Sequence, residues 1–157
     1  MKNERVRESM TPAPATVDAS EDVVEAARRM AAQDVGSLPV VADGELVGMV
    51  TDRDLVLQVL AKDLDPHKTS VGTVCSENPI VVSPEDSLDE ALQRMAREQV
   101  RRLPVVEDRQ LVGILEIVLP QTNHEAPGDV IAGRVDVDEA RLGAPGLRVE
   151  HVLEGNR

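Results

Sequence analysis

A run of seven residues from Gly48 to Asp54 has side chains of the types and spacing that ligand binding needs. It reads Gly-Met-Val-Thr-Asp-Arg-Asp. A carboxylate such as Asp54 can accept hydrogen bonds from both hydroxyls of a sugar diol. The Thr51 hydroxyl and the backbone N–H groups after it suit phosphate oxygens, and Arg53 can supply a counter-charge. A threonine N-cap followed by ordinary first-turn carboxylates would have the same appearance, so both interpretations stay open here.

The elements that must position this run are a β-hairpin and a helix. Two apolar runs, Leu38 to Val41 and Leu46 to Val50, flank Asp43-Gly44. This dipeptide is typical of hairpin turns, because glycine accepts the positive φ of a type I′ turn. Thr51 is then predicted to be the N-cap of a helix. Its apolar positions are Leu55, Val56, Val59 and Leu60.

The chain contains an internal duplication. A shift of 65 residues aligns Glu25–Val50 with Glu90–Leu115 without a gap, and 14 of the 26 positions are identical. Each copy has the predicted order strand, helix, strand, strand, helix. One copy is too small to bury its own apolar face well, so the two copies are predicted to pack against each other.

A capping sequence precedes the first helix of each copy. In copy one, Asp18 and Glu21 have the spacing of a capping box, which predicts a helix from about Ala19 to Gln33. In copy two, Ser83-Pro84-Glu85-Asp86 predicts the same device with proline at the first helical position. The predicted apolar faces are Val23, Ala27, Met30 and Ala31 in copy one and Leu88, Leu92, Met95 and Ala96 in copy two; the extended segments before the helices are Ala13–Val17 and Asn78–Val82.

The composition limits the classes of function. The net charge of −12 and the pI near 4.6 argue against a nonspecific nucleic-acid binder, because such proteins neutralise phosphates with lysine and arginine. Without Trp, Tyr or Phe, the core must be aliphatic and no ring can stack on a base. The single cysteine, Cys75, fits a reducing compartment, so we expect a cytoplasmic protein. No apolar run is long enough to cross a bilayer, and no secretion signal is expected.

The repeated pattern of LPVV and LVG, with TDRD in copy one, resembles the cystathionine β-synthase (CBS) domain, which usually occurs as a tandem pair. The resemblance covers about residues 6–119. It implies an α/β (α+β) fold of two tandem β-α-β-β-α repeats, at 6–63 and 71–119, packed as a pseudo-two-fold pair and often assembled into a disc-like homodimer. It also implies a regulatory module rather than an enzyme, because almost no chain remains for a catalytic domain. Such pairs bind adenosine-containing ligands, here AMP, ADP, ATP or S-adenosylmethionine, between the copies and signal to a partner protein that the sequence does not identify.

The resemblance also assigns roles to residues of copy one. The ribose and phosphate motif corresponds to residues 48–54, with Asp54 on the ribose and Thr51 and Arg53 near the phosphate. The base would lie against the first short strand and the LPVV-type strand. Strand-edge backbone groups there can read adenine while aliphatic side chains cover its faces, although a buried core strand would look the same. These base-side residues are Thr16, Val17, Ser37, Leu38, Pro39 and Val40.

Copy two departs from the motif. Glu116 stands where copy one has Thr51, Leu119 stands where it has Asp54, and Pro120 follows at once. Glutamate would repel phosphate, leucine cannot bind a diol and proline disrupts a helix, so a second equivalent site is not expected and the second helix of this copy is in doubt.

Copy two nevertheless carries Arg101-Arg102, where copy one has Gly36-Ser37. Basic residues at this place resemble those that reach ligand phosphates across the cleft in CBS pairs, and arginine matches phosphate with a fork of donors. A solvated arginine pair on an acidic chain is the alternative. The working hypothesis is one composite site, with ribose held by copy one and phosphate assisted by copy two.

The remaining sequence, 120–157, has no counterpart in the repeat. A flexible or peripheral tail is expected there. Strand formation at Val130–Val137 and packing of Leu147–Leu153 on the module are the two structured possibilities. His67, His124 and His151 have no metal-like spacing. The competing hypothesis for the whole chain is a protein-interaction module with the same fold and no ligand, because the motif of copy two is degraded.

Overall fold

The computed structural model describes residues 4–118 and 134–136. It has a mixed α/β architecture in which a curled sheet carries helices, as expected. Two matching hairpins form the centre of the sheet: β3 (Ser37–Ala42) with β4 (Glu45–Thr51), and β6 (Arg102–Glu107) with β7 (Gln110–Val118). Within the described ranges, none of the helices has the length and apolar character that a membrane crossing requires.

The two hairpins have the same register. Ser37 lies opposite Thr51 in the first, and Arg102 lies opposite Glu116 in the second, 65 residues further on in both strands. Every other pair, and the β-bulge in the middle of each hairpin, follows the same shift. The gapless alignment of the sequence is thus reproduced in the hydrogen-bonded pairs, and residues 65 apart occupy equivalent places.

The turn of the first hairpin has the predicted conformation. Asp43 has φ of 51° and Gly44 has φ of 80°, which are both left-handed as a type I′ turn requires. The second hairpin adopts the same conformation without glycine, at Asp108 and Arg109. The two hairpins are joined at these turns, where Glu45 of β4 pairs with Gln110 of β7.

Two helices of equal length lie beside the sheet, α2 (Val23–Gln33) and α4 (Leu88–Glu98). Both begin four residues later than predicted. The N-caps are Asp22, whose Oδ1 accepts from the Glu25 N–H at 3.0 Å, and Ser87. The predicted capping sequences instead close a turn before each helix: the Asp18 N–H donates to Glu21 (2.8 Å), and the Ser83 N–H donates to Asp86 (2.9 Å).

The later start changes which side chains face the core. In α2 the buried residues are Val23, Ala26 and Met30, whereas Ala27 and Ala31, predicted to be in the core, are exposed. In α4 Leu88, Leu92 and Met95 are buried as predicted, together with Ala91, and Ala96 is only half-buried.

The third helical segment begins at Thr51, its predicted N-cap. It comprises α3 (Asp52–Leu55) and a π-helical turn (Val56–Leu60). Val59 is buried and Leu55 packs against the core of the first repeat. Val56 and Leu60, the other two apolar positions of the predicted pattern, are 51% and 67% exposed. The wider π turn presents these two residues to the surface.

The strands before the first helices are shorter than predicted. β2 (Val17–Asp18) pairs in parallel with β3, so only Val17 of the predicted segment Ala13–Val17 belongs to a strand. In the second repeat the predicted segment Asn78–Val82 contributes a single bridge, between Val82 and Val105.

The leading segments of the repeats, 6–12 and 71–77, are exchanged. α1 (Val6–Ser9) places Val6 in the core of the second repeat, and β1 (Thr11–Pro12) pairs with β7. The 3₁₀ turn Val71–Thr73 places Val71 in the core of the first repeat, and β5 (Ser76–Glu77) pairs with β4. Segment 6–12, at the start of the first repeat, therefore completes the core of the second. Segment 71–77, at the start of the second repeat, completes the core of the first.

A short part of the region after the repeats adds to the sheet. β8 (Arg134–Asp136) runs parallel to β7, within the segment Val130–Val137 that was named as a candidate strand. The proposed packing of Leu147–Leu153 and the doubtful second helix of the second repeat lie outside the described residues.

Candidate functional site

The first turn of α3 is closed by a reciprocal pair of hydrogen bonds. The Asp54 N–H donates to Thr51 Oγ1 at 3.0 Å, and the Thr51 N–H donates to Asp54 Oδ2 at 2.9 Å. The sequence predicted the Thr51 N-cap, and the structure adds the return bond that makes it a capping box, with aspartate in place of the usual glutamate. It holds the Asp54 carboxylate at the end of β4 and uses one of its two oxygens.

The other early N–H groups of the helix, those of Asp52 and Arg53, also have acceptors. The Asp52 N–H donates to the Gly36 carbonyl at 2.9 Å, and the Arg53 N–H donates to Asp52 Oδ1 at 2.8 Å. With the Asp54 N–H bound to Thr51, the first three helical N–H groups all have acceptors within the chain. The donors that were expected to face phosphate are therefore already paired.

Arg102 joins the two repeats at the same place. Its Nε donates to Glu116 Oε1 at 2.9 Å, and its Nη2 makes a second, shorter bond to the same oxygen. Its Nη1 donates to Ser37 Oγ at 3.0 Å and approaches the Ser37 carbonyl at 3.5 Å. The ion pair is largely buried, with 18% of the Arg102 side chain and 21% of the Glu116 side chain exposed. Arginine from the second repeat thus reaches the strand that carries Ser37 in the first.

The hairpin register explains this arrangement. Arg102 and Glu116 are direct cross-strand neighbours in β6 and β7, so opposite charges face each other. Ser37 and Thr51 occupy the equivalent positions in β3 and β4. The Arg102 guanidinium therefore lies beside the cross-strand pair Ser37 and Thr51, and Thr51 is three residues before Asp54. The structure thus brings Ser37, Thr51, Asp54 and Arg102 into one region.

The base-side candidates form part of the core of the first repeat. Val17, Leu38, Pro39 and Val40 are buried, and Val17 pairs with Val40. Their interpretation as core residues is correct, and contact with a base remains a prediction. The Thr16 carbonyl, which was expected to face the base, accepts a 2.7 Å bond from Arg29 Nη1.

Arg29 is the centre of an ion cluster next to Thr16, the residue before β2. Its guanidinium donates to both carboxylate oxygens of Glu21, at 2.6 and 2.8 Å, and to Glu25 at 3.1 Å. The bond to Glu21 is the largest influence on Arg29 and raises its pKa, with the charges of Glu21 and Glu25 acting in the same direction. The cluster fixes the backbone at Thr16 and so positions the edge of β2.

Two predicted arginines lie apart from this arrangement. Arg53 and Arg101 are exposed. The backbone carbonyl of Arg101 accepts from the Ile117 N–H at 2.9 Å, so this residue extends the hairpin ladder. A role for either side chain in binding phosphate stays a prediction.

The important residue that sequence reasoning missed is Glu116. The sequence showed it only as a residue that spoils a phosphate motif. Its partner could have been found by transferring the hairpin register of the first repeat to the second, because that step places Glu116 opposite Arg102.

Cys75 lies next to Gly48 of β4 and packs against the core of the first repeat. Its sulfur is 2.9 Å from the position that a Gly48 Cβ would take. Burial raises the pKa of the Cys75 thiol, and the negative charges of Glu77 and Asp54 raise it further. The thiol is therefore neutral at physiological pH. Across the described residues, no three His, Cys, Asp or Glu side chains are grouped so that they could hold a metal ion.

A cavity of about 310 Å³ lies away from this region, against α4. Asp86, Glu90 and Arg94 line it and are equivalent to Glu21, Glu25 and Arg29. Asp86 is one methylene shorter than Glu21. Among the residues that the structure describes, the Arg94 side chain donates to the Val81 carbonyl alone, at 2.8 Å. The cavity thus occupies the place that the ion cluster fills in the first repeat.

Comparison with known proteins identifies the repeats. The family model for the CBS domain matches residues 6–61 and 71–117, which identifies a CBS pair. The CBS domain-containing protein YhcV of Bacillus subtilis is 39% identical over 129 residues, which cover 80% of this chain and 91% of that protein.

Solved structures of CBS proteins have the same fold. The crystal structure of Hypoxic Response Protein I with two coordinated zinc ions has 36% identity and a TM-score of 0.67, covering 72% of this chain and 92% of that one. CBSX2 in complex with AMP has 34% identity and a TM-score of 0.63, covering 71% and 89%. The CBS domain pair of MJ0100, in complex with 5′-methylthioadenosine and S-adenosyl-L-methionine, has 26% identity and a TM-score of 0.63, covering 72% and 89%.

Proposed function

The chain belongs to the CBS-domain family, and from this premise we propose that it is a regulatory module that binds an adenosine-containing ligand between its two repeats and signals to a partner protein. The ligand class comprises AMP, ADP, ATP and S-adenosylmethionine. The proposal includes no catalytic role. Relatives crystallised with AMP, or with 5′-methylthioadenosine and S-adenosyl-L-methionine, support the choice of class.

The observation that carries the proposal is the bond between Arg102 and Ser37. It joins the second repeat to the first within hydrogen-bonding distance, at 3.0 Å, and it lies next to Thr51 at the start of α3. A ligand that contacts this region touches both repeats at once. Such a ligand changes the relative stability of arrangements of the repeats, which is how binding shifts a conformational population.

Asp54 is proposed to hold the ribose. The capping box occupies Oδ2, so Oδ1 is the atom to which a ribose diol would donate. The side chain is half-buried, where a charged hydrogen bond is stronger than in open solvent. The adenine is proposed to lie along β2 and β3, where Val17, Leu38 and Val40 form an aliphatic wall.

Equilibrium dialysis against each of the four ligands tests the proposal. The chain has no aromatic residue, so the ultraviolet absorption of adenine reports bound ligand without protein background. Asp54→Asn keeps an acceptor for the Thr51 N–H but loses the charge, and we expect it to weaken binding by about tenfold or more. Asp89→Asn, at an exposed aspartate of α4, is the matched control and should bind as the wild type does. Equal binding by wild type and Asp54→Asn would remove Asp54 from the site, and no binding of any of the four ligands would refute the proposed function.

An apolar ridge favours a second candidate function, a protein-interaction module that binds no nucleotide. Val56, Leu57, Leu60 and Leu64 are exposed together in and just after the π-helical turn. Clustered exposed apolar side chains of this kind mark protein interfaces, and the homodimer expected from the sequence would use such a surface. Sedimentation of wild type and Leu60→Glu decides this: a dimer that the substitution dissociates, together with no response to any of the four ligands in dialysis, would favour this function over ligand sensing.

A further inference from the structure

The region around Thr51 already contains an anion of its own. Glu116, in the position that Thr51 occupies in the first repeat, places a carboxylate oxygen 2.9 Å from Arg102 Nε. The bond from Nη1 to Ser37 takes up the remaining side of the guanidinium. The basic group that was expected to assist a phosphate is therefore neutralised within the chain.

The backbone donors of the region are equally committed. The N–H groups of Asp52, Arg53 and Asp54 donate to the Gly36 carbonyl, to Asp52 Oδ1 and to Thr51 Oγ1. Two of these bonds fix acidic residues, Asp52 and Asp54, at the start of the helix. A phosphate would have to displace these acceptors and would face three carboxylates, counting that of Glu116.

Electrostatics then separate two kinds of adenosine ligand. A 5′-phosphate carries negative charge next to Glu116, and like charges in a partly buried place repel because little water screens them. A neutral or cationic group on the 5′ carbon avoids this repulsion, and a cationic group is also attracted by the Asp52 and Asp54 carboxylates, an attraction that the exposed Arg53 offsets in part. A phosphate can recruit Arg102 only by breaking the ion pair and leaving Glu116 half-buried without a partner.

We propose that Glu116 sets the ligand specificity of this site, so that it prefers adenosine-type ligands with an uncharged or positively charged 5′ substituent to 5′-phosphorylated nucleotides. The inference rests on the proposed function together with the placement that the family resemblance implies, in which the 5′ substituent lies near Thr51 and is reached by Arg102. It assigns Glu116 a selective role: this residue excludes the wrong ligand and keeps Arg102 directed at Ser37.

The test measures the affinities of adenosine, 5′-methylthioadenosine and AMP by equilibrium dialysis. The proteins are wild type, Glu116→Gln and Glu116→Thr. Glutamine retains an acceptor for Arg102 without the charge, and threonine is the residue of the first repeat at this position. Glu107→Gln, an exposed glutamate on β6, is the matched control for the loss of one negative charge.

In the wild type we expect adenosine and 5′-methylthioadenosine to bind at least about tenfold more tightly than AMP. Both Glu116 variants should bind AMP about tenfold more tightly than the wild type, while adenosine binding changes less than about twofold. Glu107→Gln should leave the preference unchanged.

Three results would overturn the inference. If wild type binds AMP as tightly as adenosine, or if Glu107→Gln raises AMP affinity as much as Glu116→Gln does, then Glu116 does not set specificity, and adenosine-ligand binding itself stands. If neither these three ligands nor ADP, ATP and S-adenosylmethionine bind wild type, the proposed function fails and the inference fails with it. Circular dichroism spectra identical to that of wild type confirm that the variants are folded, and two variants of different size at position 116 guard against a local packing defect in one of them.

Discussion

Gly48 in the first repeat lies directly against Ser76 in the leading segment of the second. A Cβ atom on Gly48 would be 2.5 Å from the Ser76 carbonyl oxygen and 2.9 Å from the Cys75 sulfur. The approach is this close because β5 pairs with β4 at Gly48. Gly113 has the equivalent relationship with Met10 and Thr11, at 2.6 Å from the thioether sulfur and 3.0 Å from the Thr11 oxygen. Glycine at both positions allows the exchanged segments to reach the sheet.

Gly48→Ala should therefore destabilise the protein, by about 2–3 kcal/mol, because the clash is with backbone that cannot move aside. Gly113→Ala should cost less, about 1 kcal/mol, since the Met10 side chain can change rotamer. Gly36→Ala is the control, because its nearest neighbour is the flexible Asp52 side chain at 3.1 Å. Urea unfolding followed by far-ultraviolet circular dichroism measures all three. A cost for Gly48→Ala no greater than that for Gly36→Ala would contradict the close contact.

The exchange of leading segments predicts that a mutation before the first repeat acts on the second. Val6 is fully buried among Leu88, Leu92 and Met95, so Val6→Ala should cost about 2 kcal/mol through the cavity it leaves. In native-state hydrogen exchange the loss of protection should be larger in α4 than in α2. Val71→Ala is the mirror experiment and should affect α2 more. Greater loss in α2 for Val6→Ala would mean that the leading segments are not exchanged in solution.

The difference between the ion cluster of Arg29 and the cavity beside Arg94 gives a stabilising substitution. Asp86→Glu restores the length of Glu21 and should let the carboxylate reach Arg94 while still accepting from the Ser83 N–H. Because the site is partly exposed, we expect a gain of only about 0.5 kcal/mol in the free energy of unfolding. The reverse change, Glu21→Asp, should destabilise by a similar amount.

Urea unfolding is measured with and without salt at a concentration on the order of 0.5–1 M, which screens charges strongly. The comparison separates the contribution of the ion pair with Arg94 from that of helix propensity. The control is Asp89→Glu, the same change at an exposed position of α4. If Asp86→Glu and Asp89→Glu alter stability equally at low salt, then the ion cluster is not being restored.

The features that sequence could predict are those that rest on local chemistry. Asp43-Gly44 determined the turn, Thr51 with Asp54 determined the start of α3, and the duplication placed the second hairpin. Each of these depends on residues that are close in the chain or that repeat at a fixed shift. The family resemblance rests on the LPVV and LVG runs, which recur in register, and on TDRD; it and the fold class that it implies are confirmed.

The features that sequence missed depend on contacts between distant segments. Asp18 was assigned to an N-cap, but it is held in β2 by pairing with Val41, so the helix begins later at Asp22. The later start also changes which side chains of α2 face the core: Ala26 is buried, and Ala27 and Ala31 are exposed. The neutralisation of Arg102 by Glu116 also escaped, because Glu116 was compared with Thr51 at the same motif position and not with the residue opposite it across the hairpin.

The pH dependence of stability is predicted from Cys75. Burial, with smaller effects of Glu77 and Asp54, raises the pKa of its thiol above the ordinary value of 9.0. Above pH 9 the unfolded chain releases this proton while the folded chain keeps it. Since the unfolded state then binds fewer protons, the stabilisation is complete below pH 9 and is lost as the pH rises through the folded pKa.

Measurement of the unfolding free energy between pH 7.5 and 10.5, a window of about 1.5 pH units on either side of that ordinary value, checks this prediction. The chain is well suited to it, because it has no tyrosine and only three lysines, so few other side chains titrate in this range. We expect stability to fall more steeply with pH in wild type than in Cys75→Ala, which lacks the thiol, and alkylation of native Cys75 at neutral pH to be slow because little thiolate is present. Parallel pH curves for the two proteins would show that the thiol is as well solvated in the folded state as in the unfolded chain, and that β5 does not cover it as the structure shows.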